Sequence, residues 1–458
     1  MSEKSTDSKD GSIHGQKINS IQQAIEIIGK DPQLVMKRID VTSRSGVAGE
    51  RRNIALTLAV LDSRLLIGDG LGQYSLGLKN AGTSGSGKSH VLNSCLKIYP
   101  EECIHVLSSG SNKSFYYLNE NDLSHKALIL IEGFKLQRKG DSEFAYITRT
   151  LLSEGFVSYQ VTQRAQGGNF CTDTRILRGP MSFITTTTTE AFESQLEDRI
   201  FTIHPDESIQ QTKKIIENTA ETASGKNDKS DNASINLLMK AFHHQLKPVK
   251  VIIPYAQQIA AYINKNTYLP TSTRRIFKRL LSLIKSISSA CQFQREEDND
   301  GRIIASVADY YMALQMVSGT FDEAISQCTQ DNIDKLNVIK ANEPVQIKQL
   351  VNAWGVSKNA VSKWIKLRIK ENQVYWCDKD GNAFMDEVSE KKAKSSGQAY
   401  IKTINFSNFN INGLPTAYEL THDPTWAEGG ERFEFFNLHL DEKSYGCPPV
   451  ESIGLIEG

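Results

Sequence analysis

The chain has no surplus of charge of either sign. Its 53 Lys and Arg balance 53 Asp and Glu over 458 residues. That excludes a whole-molecule field drawing the protein onto a polyanion, so any nucleic-acid contact must come from local patches. Cysteine is scarce. The seven (Cys95, Cys103, Cys171, Cys291, Cys328, Cys377, Cys447) are scattered, odd in number and never spaced as CxxC. This argues against a disulfide framework and a zinc site, and suits a reduced cytoplasm. No stretch approaches the ~20 apolar residues needed to cross a bilayer, and the amino terminus, MSEKSTDSKDGSIHGQ, lacks the apolar core of a signal peptide. A cytoplasmic protein with no membrane partner is expected. There is no internal repeat.

The remaining composition is that of a globular protein too long for one core. Residues 1–20 form a polar tail, and residues 21–70 carry apolar residues at helical spacing, as in GERRNIALTLAVLDSRLL. Over 71–221, short apolar runs (CIHVL, ALILIEGF, MSFITTTTTE, DRIFTIHP) alternate with helical stretches, the pattern of a parallel sheet with crossover helices. TASGKNDKSDNAS reads as a flexible excursion. Residues 235–335 read as a helical domain and 344–390 as a further unit, followed by the linker-like SEKKAKSSGQ; residues 400–458 form an extension without a usable period.

Within the α/β stretch, Gly82, Thr83, Ser84, Gly85, Ser86, Gly87, Lys88 and Ser89 fit GxxxxGK[ST], with His90 next. Such a loop turns backbone N–H groups toward phosphate at a helix start, where the helix dipole also favours an anion. Lys88 would reach the β- and γ-phosphates of ATP, and the Ser89 hydroxyl would take one Mg²⁺ position. The preceding GQYSLGLKN is a poor candidate for the buried strand such a loop should follow.

The metal and the attacking water need an acid at the end of a second buried strand, and ALILIEGF supplies Glu132. Ile131 stands where a paired acidic dipeptide would have its first member, leaving Glu132 as either the water-activating base or an outer ligand of the metal. The hydroxyl run of MSFITTTTTE offers Thr186, Thr187 or Thr188 to the γ-phosphate or water, with Thr187 central. Arg199, just before the strand-like IFTIH, would serve as an arginine finger toward a neighbouring subunit or as a local ion pair.

In order, GERRNIALTLAVLDSRLL, GTSGSGKSH, FYYLNENDLSHKALILIEG, LLSEGFVSY, FITTTTT, LEDRIFTIHPDESIQQT and TRRIFKRLLSLIK resemble an AAA+ ATPase core, specifically the minichromosome-maintenance-like replicative helicases of plasmids, prophages and integrated elements. The resemblance spans roughly Gly46 to Tyr311. It implies a P-loop core with a helical lid, a hexameric ring, and a lid arginine sensing the γ-phosphate, for which Arg274 and Arg275 are the candidates and Arg274 the favoured one. It also implies a DNA-touching hairpin before the hydroxyl-tipped strand. FVSYQVTQR and TDTRILRG flank a Gly-Gly tip there, a hairpin in their own right, with Arg164, Arg175 and Arg178 as phosphate contacts.

Farther on, VQIKQLVNAWGVSKNAVSKWIKLRIKENQVYW reads as helix, turn at Gly355, and a second helix capped by Ser357. NQVYWCDKDGNAFMDE then suggests two strands about an Asp-Gly turn. The whole looks like a winged helix-turn-helix. Its basic residues (Lys348, Lys358, Lys363, Lys366, Arg368, Lys370) supply a local patch, with Lys358, Asn359, Ser362, Lys363 and Lys366 facing a duplex groove or its phosphates. The expectation is therefore an α/β protein with an AAA+ core, lid and winged helix. It would act as a homo-oligomeric, ATP- and Mg²⁺-dependent helicase on single-stranded or forked DNA in mobile-element replication. The alternative is a nucleotide-gated DNA-binding regulator, or an ATP-dependent scaffold, with weak hydrolysis.

Overall fold

Five short segments pair into one sheet: β1 (Gly77–Ala81), β2 (Ile104–Leu107), β3 (Lys126–Leu130), β6 (Met181–Thr187) and β7 (Ile200–Ile203), with β4 (Phe156–Arg164) and β5 (Phe170–Arg178) forming a separate antiparallel ribbon and β8 (Val251–Ile252) and β9 (Ile303–Ile304) a short parallel pair. The order across the sheet is β2-β3-β6-β1-β7, and every neighbouring pair is parallel. Helices flank it, among them Lys88–Leu96 and Glu143–Glu154. The computed structural model describes residues 22–23, 25–68, 75–107, 114–132, 143–164, 170–188, 192, 194–225, 230–265, 273–317, 330–370, 373–384, 386–404, 414–417 and 420. Residues 1–20, the Gly-Gly tip of the ribbon and the extension past 420 lie outside them.

The strands are buried for different reasons. β6 is buried along its whole length, as an apolar, β-branched segment flanked by strands on both edges should be. β1 is buried too, yet carries Lys79 and Asn80. Lys79 is tolerated because its ammonium meets the Glu197 carboxylate at 2.5 Å and lies over the Phe192 ring, satisfying the charge that burial would otherwise penalise. That pairing is why GLKNA is a central strand despite its composition. On one side of the sheet Phe144, Leu151, Leu177, Phe183, Phe192 and Leu196 form a continuous core.

Helices Leu34–Arg44 and Arg51–Asp62 are held to the end of the Lys88–Leu96 segment by a buried polar knot. Arg38 meets Asp62 at 2.8 Å, Tyr99 Oη donates to Asp62 Oδ1 at 2.7 Å, and the ring of His243, on helix Ser230–Gln245, stacks on Tyr99 at 4.1 Å. Of the excursion expected over Thr222–Ser234, residues 222–223 close helix Ile209–Ala223 and 230–234 open helix Ser230–Gln245, while 226–229 lie outside the described residues.

The chain divides into two compact units, Met1–Pro254 with Lys278–Met316 and Glu431–Gly458, and Tyr255–Phe277 with Val317–Gly430. The helical stretch expected as one domain over 235–335 is thus shared between them.

In the second unit, helices Gln330–Asn342, Ile347–Trp354 and Lys358–Lys370 enclose Leu336, Ile339, Leu350, Val361 and Ile365 together with Val374 of β10 (Val374–Cys377). Gly355 at φ 64° ends the second of these helices in the left-handed conformation that glycine adopts without strain. Ser357 Oγ accepts from Ala360 N at 3.3 Å to start the next.

Two expectations are corrected here. Among the described residues, the stretch after Asp380-Gly381 makes an isolated antiparallel bridge, Ala383 to Cys377, rather than a second strand. Asp378 ties its turn to the Asn382 and Asp380 amides, and Asp386 caps a helix, Glu387–Ser396, by accepting from Ser389 N at 2.7 Å. SEKKAKSSGQ is therefore mostly helix rather than linker. The partner of β10 is β11 (Tyr400–Thr403), antiparallel to it, and Val345 bridges β11 from the other side.

Candidate nucleotide-binding site

Because the sheet is parallel, the carboxyl ends of β1, β6 and β3 open on one edge. β1 runs directly into the loop Gly82–Gly87, and helix Lys88–Leu96 begins at its end. Gly85 (φ 83°) and Gly87 (φ 90°) adopt left-handed backbone with nothing within 4 Å of where a Cβ would sit, so at both positions the backbone faces open space. Among the described residues, no acceptor is bonded to the N–H groups of Gly85, Gly87, Lys88 or Ser89. Unpaired amides at a helix start are what an anion needs, so the residues fit a bound phosphate.

Lys88 is mostly buried, and its ammonium donates to Gly82 O (2.8 Å), Thr83 O (2.5 Å) and Ser86 Oγ (3.3 Å). Burial pulls its pKa below the ordinary lysine value, and the nearby Glu207 charge works against that. Ser89 and His90 are exposed at the helix start, and the His90 ring nitrogen Nε2 lies 3.2 Å from Gly46 O.

Glu132 lies just beyond β3, on the same edge as the loop and two strands away, roughly 10 Å by ordinary strand spacing. Its φ of 57° is costly for a side-chain-bearing residue, by roughly 1–2 kcal/mol. Its N–H donates to Thr186 Oγ1 at 3.4 Å. Thr187, buried at the end of β6, accepts the Gly82 N–H through its carbonyl at 3.2 Å. The fold therefore brings loop, hydroxyl run and acid to one edge. Ile131 leaves the donor set for a metal at Ser89 and Glu132, and among the described residues no group of three or more His, Cys, Asp or Glu side chains is placed to hold one.

Other expected site residues lie elsewhere. Arg199 precedes β7, whose first residue pairs with Gly77 at the start of β1, so it sits at the opposite end of the sheet from its own loop. There its Nε donates to Ser153 Oγ at 2.5 Å and another guanidinium nitrogen to Gln195 O. Arg274 and Arg275 are exposed at the start of helix Thr273–Ala290, in the part of it that belongs to the second unit.

On the ribbon, Arg164 pairs with Phe170 at the strand ends nearest the tip and Arg178 with Phe156 at the base; Arg175 pairs with Tyr159, on the face of the buried Val157 and Leu177. Arg178 is engaged by Glu120 at 2.5 Å. Lys358, Asn359, Ser362, Lys363 and Lys366 do share the outward face of helix Lys358–Lys370. Arg368 is corrected: it points inward, 4% exposed, with its guanidinium over Trp364 and bonded to Gln373.

Spacing did not reveal the loop's other neighbours. After β7 the chain turns through His204–Ser208. His204 Nδ1 contacts Ala81 O at 2.9 Å, and Glu207 Oε1 accepts from both Thr83 N and Thr83 Oγ1 at 2.9 Å. These bonds hold the Glu207 carboxyl below its ordinary pKa. Glu50, buried, accepts from Asp206 N at 2.8 Å and from Asn53 Nδ2, and Asn53 donates in turn to His204 O. Burial raises the Glu50 pKa. The contact between Thr83 and Glu207 joins residues 124 positions apart, and only the Pro-Asp-Glu-Ser turn after β7 hints at it.

A glycine-rich loop between a buried parallel strand and a helix, with its amides unpaired, defines a P-loop domain. The chain belongs to the MTBMA_p00010 P-loop domain family, whose profile matches residues 18–247. A search of curated proteins found no match to the chain. Membership points to nucleotide binding and hydrolysis. Among the described residues, no helix is long and apolar enough to cross a membrane.

Proposed function

We propose that this chain is an AAA+ ATPase that engages DNA as a helicase in the replication of a mobile element, working as a homo-oligomer, most simply a hexamer. The observation that carries the reading is the order β2-β3-β6-β1-β7 with a long antiparallel ribbon inserted between helix Glu143–Glu154 and β6. It sets the loop strand beside the hydroxyl-tipped strand, the acid one strand beyond, and a projection of about 30 Å at ~3.3 Å per residue over nine residues.

Mg²⁺, when bound, would neutralise charge on the phosphate oxygens of the triphosphate around the transferred phosphoryl group. In the chain itself, Lys88 would keep one N–H on the Gly82 carbonyl and turn the others from Thr83 O and Ser86 Oγ toward the β- and γ-phosphates. Ser89 would supply an oxygen to the metal, Glu132 would either take a proton from the attacking water or stand as an outer ligand of the metal, and Thr187 or a neighbouring threonine would orient that water. Arg199 lies too far from its own loop to serve it and would act on a neighbour's nucleotide, while Arg274 senses the γ-phosphate. On the ribbon, Arg164 has the position for phosphate contact, whereas Arg178 would first have to release Glu120. The helix–Gly355–helix segment followed by the β10–β11 pair supports a winged helix, whose Lys358, Lys363 and Lys366 meet duplex phosphates.

DNA-stimulated ATPase and strand separation, measured for the wild type and for Lys88→Ala, test the motor. Equal activity in the two proteins rejects it. Ile131 favours one second reading, a nucleotide-gated DNA binder. Such a protein would assemble with ATP and with a non-hydrolysable analogue alike, and would stay assembled with both.

A further inference from the structure

One peptide of the loop is held from both sides. The Gly82–Thr83 peptide is planar and trans, so its C=O and N–H point in opposite directions. The carbonyl accepts from Lys88 Nζ at 2.8 Å, and the N–H donates to Glu207 Oε1 at 2.9 Å; the Thr83 hydroxyl doubles the second contact. Space around the peptide is tight. A Cβ at Gly82 would meet Ser86 Oγ at 2.9 Å, Pro205 Cδ at 3.0 Å and Glu207 Oε1 at 3.1 Å. The segment carrying Glu207 is itself anchored, through Asp206 N to Glu50, His204 O to Asn53 and His204 Nδ1 to Ala81 O.

We propose that Glu207 is a positioning residue for the nucleotide site, acting on Lys88 through the Gly82–Thr83 peptide. A carboxylate on the N–H side fixes the plane of that peptide and draws its dipole toward itself, so the carbonyl stays aimed at the lysine. Without Glu207 the peptide is free to rotate, the carbonyl no longer guides Lys88, and phosphate binding must order the loop as well. Glu207 touches no phosphate in this role. The proposal rests on the phosphate-loop reading and adds to it a residue on the opposite side of the loop from Glu132.

The test is equilibrium binding of a fluorescent ATP analogue to the full chain, for wild type, Glu207→Ala and Glu207→Gln, each with a thermal melt. Glu207→Ala should bind roughly five- to tenfold more weakly, the loss of about one net hydrogen bond. Glu207→Gln keeps an acceptor for both Thr83 donors and should stay within about twofold of wild type. The second variant separates positioning from charge. If the carboxylate merely repels phosphate, Ala and Gln will both bind more tightly, and that overturns the proposal, as does Ala binding like wild type. A loss in Ala that Gln does not rescue also overturns it. A wild-type protein that binds no nucleotide overturns the phosphate-loop reading itself.

Discussion

Removing the Asp62 carboxylate should damage the first unit more than any surface change. Asp62 is 1% exposed and is the acid on which the Arg38 guanidinium and the Tyr99 hydroxyl both converge. Asp62→Ala leaves a buried cation uncompensated and a buried hydroxyl without its carboxylate acceptor. Breaking a buried ion pair by deleting one partner costs roughly 3–5 kcal/mol, and the Tyr99 bond adds about 1 kcal/mol. The methyl side chain also adds to the small cavity lined by Val35, Arg38, Leu58, Asp62 and Ile287. Replacing both charges, Arg38→Met with Asp62→Leu, removes the stranded cation and should recover most of the loss, because a buried pair exchanged for packed apolar groups is close to neutral. Urea unfolding followed by tryptophan fluorescence does not isolate this unit, so the assay is amide hydrogen exchange on helices Leu34–Arg44 and Arg51–Asp62. Exchange there should accelerate at least a hundredfold in Asp62→Ala, the factor matching about 3 kcal/mol. An acceleration below tenfold, or a double variant as labile as the single one, refutes the reasoning.

Two further outcomes follow from the charges described. His243 is fully buried, with burial first and then Arg38 and Arg64 holding its pKa well below the ordinary histidine value. Above about pH 6.5 the ring is neutral in folded and unfolded chains alike. Below that the unfolded chain takes a proton the folded one refuses, so stability falls as pH falls, by up to ~1.4 kcal/mol per pH unit. His243→Phe removes this contribution, and its stability relative to wild type should improve between pH 7 and pH 5; an unchanged difference sinks the idea. In the second unit, replacing Lys358, Lys363 and Lys366 by Ala should lower the slope of log affinity for duplex DNA against log salt by about 2 to 3, at ~0.9 per phosphate contact. An unchanged slope removes that face from the DNA interface.

Much of the nucleotide edge was legible because its signals are local. The glycines and lysine of the loop lie within eight residues, and CIHVL, ALILIEGF, MSFITTTTTE and DRIFTIHP each contain the strand expected of them. What escaped depends on contacts distant in sequence. β1 reads as a poor strand because its burial relies on Glu197, over a hundred residues away. Glu207 and Glu50 act on the loop from segments that no short pattern joins to it. In the second unit, counting basic residues gave Arg368 to the surface, whereas Trp364 and Gln373 draw it inside. Helix Glu387–Ser396 was hidden because KKAKSS is polar all round, and the cap at Asp386 reveals it only once the turn before it is known.

The location of Arg199 beyond the amino end of β7 carries a kinetic consequence. A guanidinium a full strand length from its own phosphate loop adds nothing to the turnover of a solitary molecule. If it serves catalysis, the specific rate must climb with protein concentration and collapse on dilution, and crowding many copies onto one stretch of DNA would then be the event that switches the chemistry on.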